Sequence, residues 1–203
     1  MKAWLSRLDA DLSFAPSSPE EAACAELSAA LPGTACRVVT DLSMEEGYRI
    51  IREKDGGYTV TGGKTGVLYG AYALIRLALS GSPLPESLVS APKYPLRMIN
   101  CWDNADGTVE RGYSGRSLFF EGGRLQYDPL RMRELARLMS SVGLNVLFIN
   151  NVNVHYPAQL LLEDYLAEAA ALADLFRPFG VQLMFSVDFS RRRRDPGGLR
   201  CPP

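Results

Sequence analysis

Three short apolar runs alternate with two amphipathic helix-length segments between residues 96 and 187, and this order constrains the fold most. Leu96 to Asn100, Asn145 to Ile149 and Val181 to Val187 read as strands. The first intervening helix begins at Asp128-Pro129, a capping Asp followed by Pro at the first helical position. Met132, Leu135, Leu138, Met139 and Val142 are its apolar stripe, and Gly143 ends it. The second helix carries Leu162, Tyr165, Leu166, Ala169, Leu172, Ala173 and Phe176. The order β-loop-α-β-loop-α-β implies parallel strands joined by helical crossovers. Strands apolar on both faces fit a sheet covered by helices. The chain is therefore expected to be α/β, the start of a barrel or of an open doubly wound sheet. Each strand ends in polar residues: Asn100 to Asn104, Asn150 to Asn153, and Asp188. In such folds ligands bind at these carboxyl ends.

The amino-terminal part has a different rhythm. Ser18-Pro19-Glu20-Glu21 opens a helix with a capping Ser, a Pro and a Glu three residues after the cap; the helix is expected to run to about Leu31, before Pro32-Gly33. Cys36 to Thr40 and Tyr48 to Glu53 read as strands, and Asp55-Gly56-Gly57 turns the chain into a second hairpin arm, Tyr58 to Thr61. Val67 to Leu79 is a helix apolar nearly all round, which predicts burial between layers. This α+β unit is expected to span residues 1–85. Ser80-Gly-Ser-Pro-Leu-Pro85 and Pro92-Lys-Tyr-Pro95 bound a linker region.

Composition removes several function classes. A net charge of -1 over 203 residues supplies no electrostatic reason to expect nucleic acid or an anionic membrane as partner. The start, Met1 to Asp9, lacks the apolar segment of a signal peptide, and no apolar run approaches the roughly 18 residues of a membrane span. Cys24, Cys36, Cys101 and Cys201 show no paired spacing and read as reduced thiols of a cytoplasmic protein. His155 is the single histidine, so a histidine-rich metal site is excluded; no cofactor or metal is expected. Without a visible partner His155 reads as structural rather than as a general base. Gly63-Lys64-Thr65 resembles part of a phosphate-binding loop, but Tyr58 stands where that motif needs its first Gly. These glycines are expected to form a turn and let the helix pack closely.

The loop after the first barrel-type strand, residues 100–120, is too rich in charges, amides and aromatic rings to be a plain connector. Asp103, Asp106, Glu110 and Glu121 are its carboxylates. Glycoside hydrolysis needs two carboxyl groups about 5–10 Å apart. Asp-Asn and Asp-Gly pairs are equally turn formers, and Glu110-Arg111 equally an ion pair. Trp102 sits between polar neighbours just beyond a strand tip, where its flat face could stack a sugar; the alternative is a core Trp. Cys101 reads as a small buried residue.

Asn100-Cys-Trp-Asp-Asn-Ala-Asp-Gly-Thr-Val-Glu-Arg-Gly-Tyr-Ser-Gly-Arg-Ser-Leu-Phe119 resembles the signature of the α-glucuronidases of glycoside hydrolase family 67. Ile149 to Val154 resembles that family's second strand tip, and Gly63 to Ile75 the end of its small amino-terminal domain. The resemblance implies a hexosaminidase-like accessory α+β domain (1–85), then the first three strands of a (β/α)8 TIM barrel (86–190). It implies hydrolysis, with inversion, of the α-1,2 link between glucuronic acid, or its 4-O-methyl ether, and xylo-oligosaccharides in xylan breakdown. By match to the motif, Trp102 would line the uronic-acid pocket, Val152 would pack near the sugar's 4-position, and Asn100 would stand at the same rim. The family usually has His where this chain has Cys101.

A TIM barrel takes roughly 250 residues, so the family's catalytic acid and base, and the carboxy-terminal region through which it forms homodimers, are expected beyond this chain. Residues 191–203, beginning with Arg191-Arg-Arg-Arg194, lack any periodicity and read as a basic tail or as non-native sequence from a shifted frame. The chain alone is expected to be inactive and poorly stable. Two other readings stay open: another barrel glycosidase with the same accessory domain, and a non-catalytic carbohydrate-binding module.

Overall fold

The computed structural model describes residues 15–149 and 166–186. They form two compact units, one of residues 15–99, 128–147 and 172–183, the other of residues 100–127, 148–149, 166–171 and 184–186.

In the first unit, helix α1 (Pro19–Ala30) starts as its sequence demands. The Ser18 hydroxyl accepts from the Glu21 N–H, and the Glu21 carboxylate reaches back to the N–H of Ser17 at 2.8 Å. Strands β1 (Cys36–Thr40), β2 (Tyr48–Arg52), β3 (Tyr58–Gly62) and β4 (Ser87–Ser90) make a sheet in the order β1-β3-β2-β4. The β2-β3 hairpin pairs antiparallel, and its turn is held by the Asp55 carboxylate accepting from the Gly57 N–H at 2.9 Å. Strand β4 corrects the expectation of a linker. It pairs antiparallel with β2 as an edge strand, Leu88 opposite Ile50. The four residues of β4 are too few to show a periodicity of their own, and pairing with β2 supplies the order.

Helix α2 (Gly66–Leu79) lies on this sheet, and every residue from Gly66 to Ile75 is buried. Its approach is set by glycines. A Cβ on Gly63 would fall 1.5 Å from the Glu45 carbonyl oxygen, and one on Gly66 2.0 Å from that of Gly47. Lys64 is exposed. The phosphate-loop look-alike is thus a packing device: the backbone of residues 45–47 occupies the space that side chains at 63 and 66 would need.

The helix is not wholly apolar in what it meets. Tyr69, Tyr72 and Arg76, spaced for one face, reach polar partners far along the chain. The Tyr72 hydroxyl donates to Glu26 Oε1 at 3.0 Å, and Arg137 of helix α3 (Pro129–Ser141) donates from Nη2 to Glu26 Oε2 at 2.7 Å and from Nε to Oε1. Glu26 and Arg137 are 5% and 7% exposed, so this is a buried, fork-shaped ion pair. Burial first, then the Glu26 charge, pushes the Tyr72 phenol well above its ordinary range, which keeps it a donor. Arg76 Nη1 donates to the Ser141 carbonyl.

A second network surrounds Glu46. Its carboxylate accepts from both terminal nitrogens of Arg97, at 2.9 and 3.2 Å, and from Asn145 Nδ2 at 3.3 Å. The Tyr69 hydroxyl receives a bond from Arg97 Nη2 at 3.0 Å, and burial followed by the Glu46 charge pushes Tyr69 up to about 12.

Strands β5 (Met98–Cys101), β8 (Val146–Ile149) and β9 (Gln182–Phe185) form a second sheet in that order, while β6 (Phe120–Glu121) and β7 (Arg124–Leu125) pair with each other in the loop after β5. The Asn145 N–H donates to the Arg97 carbonyl and the Gln182 N–H to the Asn145 carbonyl. Arg97 and Asn145 immediately precede their strands and Gln182 opens β9, so all three strands start at one end and run parallel, as the element order demands. Helix α3 is capped by the Asp128 carboxylate on the Leu130 N–H at 2.9 Å. Its buried face departs from the expected stripe. Met132, Ala136, Arg137, Met139, Ser140 and Ser141 are buried, whereas Leu138 and Val142 are exposed. The helix is rotated so that Arg137 reaches Glu26, a partner no local pattern can announce. Helix α4 (Leu166–Phe176) buries Leu172 and Phe176 of its expected stripe; Leu162 and Tyr165 lie outside the described residues. The architecture is α/β, with mixed and parallel sheets and four helices among the described residues.

Candidate functional site

The second unit is dominated by the loop of residues 100–127. The chain leaves β5 at Cys101 and folds back through bridges Asp103 to Val109 and Thr108 to Arg116. Asn104 N–H donates to the Thr108 carbonyl at 2.8 Å and Gly107 N–H to the Asn104 carbonyl at 3.0 Å, closing a tight turn around Asp106. The Asp106 carboxylate accepts from the Thr108 hydroxyl at 2.7 Å and the Thr108 N–H at 2.9 Å. The hydroxyl first, then the amide, holds this carboxyl below its ordinary range. Asp103 is 5% exposed and accepts from the Leu118 N–H at 3.2 Å. Two of the loop's carboxylates therefore serve its own folding, the turn-forming alternative of the sequence.

The rest of the loop is anchored by Phe119, Phe120 and Leu125, all buried. The Ser117 hydroxyl accepts from the N–H groups of Phe119 and Phe120 at 3.0 and 2.9 Å. Strands β6 (Phe120–Glu121) and β7 (Arg124–Leu125) pair antiparallel across Gly122-Gly123, both at positive φ, a two-residue turn that the sequence reading did not mark. The pair Gly-Gly between apolar residues was the available signal.

Trp102, Glu110 and Tyr113 are among the side chains this scaffold presents, beside the exposed Arg111 and Arg116. Trp102 is 39% exposed, whereas its flanking Asp103 is buried. Glu110 stands opposite Trp102 in the folded-back ribbon, its N–H donating to the Trp102 carbonyl at 2.8 Å. It adopts φ 59, a left-handed conformation that costs a non-glycine residue on the order of 1 kcal/mol or more. Asn104 Nδ2 clamps its carbonyl at 2.6 Å. The Glu110 carboxylate accepts from the Tyr113 hydroxyl at 2.7 Å, and Tyr113 is 73% exposed. Glu110 is thus paired with Tyr113, and no ion pair to Arg111 exists among the described residues. Tyr113 escaped the sequence reading; the i, i+3 spacing from Glu110 was its only mark.

Asn100 is exposed on β5, two residues before Trp102. Val152 and His155 lie outside the described residues. The Cys101 thiol is pushed up to about 11, by burial first and the Asp103 charge second, so it is protonated at neutral pH and no nucleophile. An exposed indole, a phenol and a carboxylate on a braced loop make an arrangement suited to binding a polyhydroxylated ring: flat faces for C–H surfaces, an acceptor for hydroxyls.

Comparison with known proteins matches this chain to one family. The profile described as glycosyl hydrolase family 67 middle domain matches residues 79–199, more than half of the chain and all of the loop. A probable alpha-glucuronidase A of Aspergillus clavatus is 35% identical over 179 residues, covering 84% of this chain and 21% of its own length. Alpha-glucuronidase A of Emericella nidulans is 39% identical over 130 residues, covering 62% and 15%. The chain thus spans about one fifth, or less, of the length of these relatives. Among solved structures, a family 138 enzyme targeting pectin rhamnogalacturonan II superposes with a TM-score of 0.56 at 19% identity, covering 83% of this chain and 23% of that one, a likeness of fold alone. The chain belongs to glycosyl hydrolase family 67.

Proposed function

We propose that this chain is the amino-terminal part of an α-glucuronidase that hydrolyses the α-1,2 bond between glucuronic acid, or its 4-O-methyl ether, and xylo-oligosaccharides. The observation that carries the reading is the family match across a loop that presents Trp102 rather than burying it. Relatives of the same family bear the name alpha-glucuronidase. In this reading the accessory α+β domain leads into the first three strands of a TIM barrel. Trp102, Asn100 and Val152 contact the uronic-acid ring. An acid that protonates the leaving oxygen and a base that activates water stand on later strands, and the reaction inverts the anomeric centre. Asp103 and Asp106 keep structural roles, because their oxygens already hold the loop. A cytoplasmic homodimer completes the proposal.

The test has two steps. Reading the gene past the codon of Ser190 in all three frames is expected to reveal further strand-helix units with two carboxylates. The full-length protein so defined is then expected to release glucuronic acid from aldouronic acids, with proton NMR showing the inverted anomer first. An active enzyme that instead cleaves N-acetylhexosaminides would favour the other barrel glycosidase.

A further inference from the structure

We propose that Glu110 and Tyr113 form a second sugar-recognition element beside Trp102, in which the carboxylate accepts a hydrogen bond from a ring hydroxyl and the phenol ring adds an apolar wall. This rests on the functional reading above and names residues that it leaves without a role.

Four observations carry the inference. The first is the backbone of Glu110. It is held in the left-handed region with its N–H on the Trp102 carbonyl and its carbonyl on Asn104, so the loop sustains strain at the residue facing Trp102. The second is the state of its side chain. One carboxylate oxygen receives the Tyr113 hydroxyl, and the other has no hydrogen bond among the described residues. Asp103 and Asp106, by contrast, bond to the loop's own backbone. The third is exposure. A tyrosine 73% exposed yet fixed by its hydroxyl at 2.7 Å is an ordered aromatic face open to a ligand. The fourth is electrostatic. A carboxylate repels the C6 carboxylate of a uronic acid, so Glu110 must face a hydroxyl-bearing edge of the bound saccharide. Hydroxyl donors on a charged acceptor make the stronger class of hydrogen bond, and C–H faces stack on Trp and Tyr.

The experiment is steady-state kinetics of the full-length protein on aldouronic acids, with wild type, Glu110→Gln, Glu110→Gly and Tyr113→Phe, each checked by thermal melting. Glycine suits the left-handed backbone and removes only the side chain, so it keeps the test decisive where Gln fails to fold. Loss of a charged hydrogen bond is expected to raise KM about tenfold for both Glu110 variants, with kcat within about twofold and no fall in melting temperature. Tyr113→Phe is expected to raise KM about threefold by freeing the carboxylate. Unchanged KM in the folded variants overturns the inference. So does a lower KM in Glu110→Gln, which would put Glu110 beside the uronate carboxylate, and so does a joint loss of kcat and stability, which would make the pair structural. A wild-type enzyme without activity on aldouronic acids sinks the functional reading and this inference with it; an active wild type with indifferent variants sinks this inference alone.

Discussion

Two regions of this molecule use the same side chains for opposite ends. Along α2 a tyrosine, an arginine and a glutamate meet at Tyr72, Arg137 and Glu26, all nearly sealed from water. In the loop of residues 100–127 a tyrosine and a glutamate meet at Tyr113 and Glu110, close to solvent. The partners of the first cluster stand 46 and 111 residues apart; those of the second stand 3 apart. Buried charges of the first kind stabilise only as a complete set, because each needs the other to offset lost hydration. The exposed set adds little to stability and is available for binding. The difference teaches that polar density alone does not mark a functional site. What separates the two is whether the polar atoms are already used.

The largest expected effect breaks the buried set. Arg137→Ala leaves the Glu26 carboxylate buried and unpaired, and urea unfolding is expected to show a loss of about 3–5 kcal/mol. Combining Glu26→Leu with Arg137→Met removes both charges at similar volume and is expected to recover most of that loss. A single-variant loss below about 1 kcal/mol would put this pair with exposed ion pairs and erase the contrast.

Next comes the packing at α2. Gly63→Ala places a methyl carbon against the Glu45 carbonyl and is expected to cost about 1–3 kcal/mol through backbone displacement. ATP or inorganic phosphate is expected to leave the melting temperature unchanged, since the glycines serve contact. A ligand-dependent rise would restore the phosphate-loop reading.

Much of this was legible beforehand, for identifiable reasons. Local signals were sufficient for α1, whose Ser18, Pro19 and Glu21 act within one turn, and for the β2-β3 hairpin, whose Asp55-Gly56-Gly57 closes on itself. The β-α-β order was likewise sufficient for the parallel sheet. Signals failed where the partner is distant. Strand β4 is ordered by β2 some forty residues away, and α3 turns Arg137 rather than Leu138 inward because Glu26 waits there. In the site, Trp102 was legible because a Trp among Asn and Asp beyond a strand tip is unusual. Tyr113 was not, because its meaning comes from the turn that brings its hydroxyl to Glu110.

A smaller and more local effect is expected within the loop. Asp103→Ala removes the acceptor of the Leu118 N–H and is expected to cost about 1–3 kcal/mol. Limited proteolysis should report it, with new cleavage between residues 105 and 123 while hydrogen exchange in α2 stays unchanged. Equal loosening of α2 would show that the two regions do not hold their stability separately.

The smallest stability effect belongs to Trp102, and it is the sharpest form of the comparison. An indole 39% exposed contributes part of its area to packing, so Trp102→Ala is expected to shift unfolding by about 1 kcal/mol or less. The same truncation at a buried aromatic such as Phe119 is expected to cost about 3–5 kcal/mol. Activity should order the two differently. In the full-length protein Trp102→Ala is expected to lower kcat/KM on aldouronic acids by tenfold or more, because stacking on a large aromatic face supplies about 1 kcal/mol or more beyond area burial. Melting curves and kinetics on the same preparations decide the matter. A Trp102 variant that loses stability as Phe119→Ala does would return this residue to the core. One that keeps both stability and activity would remove the loop from substrate recognition.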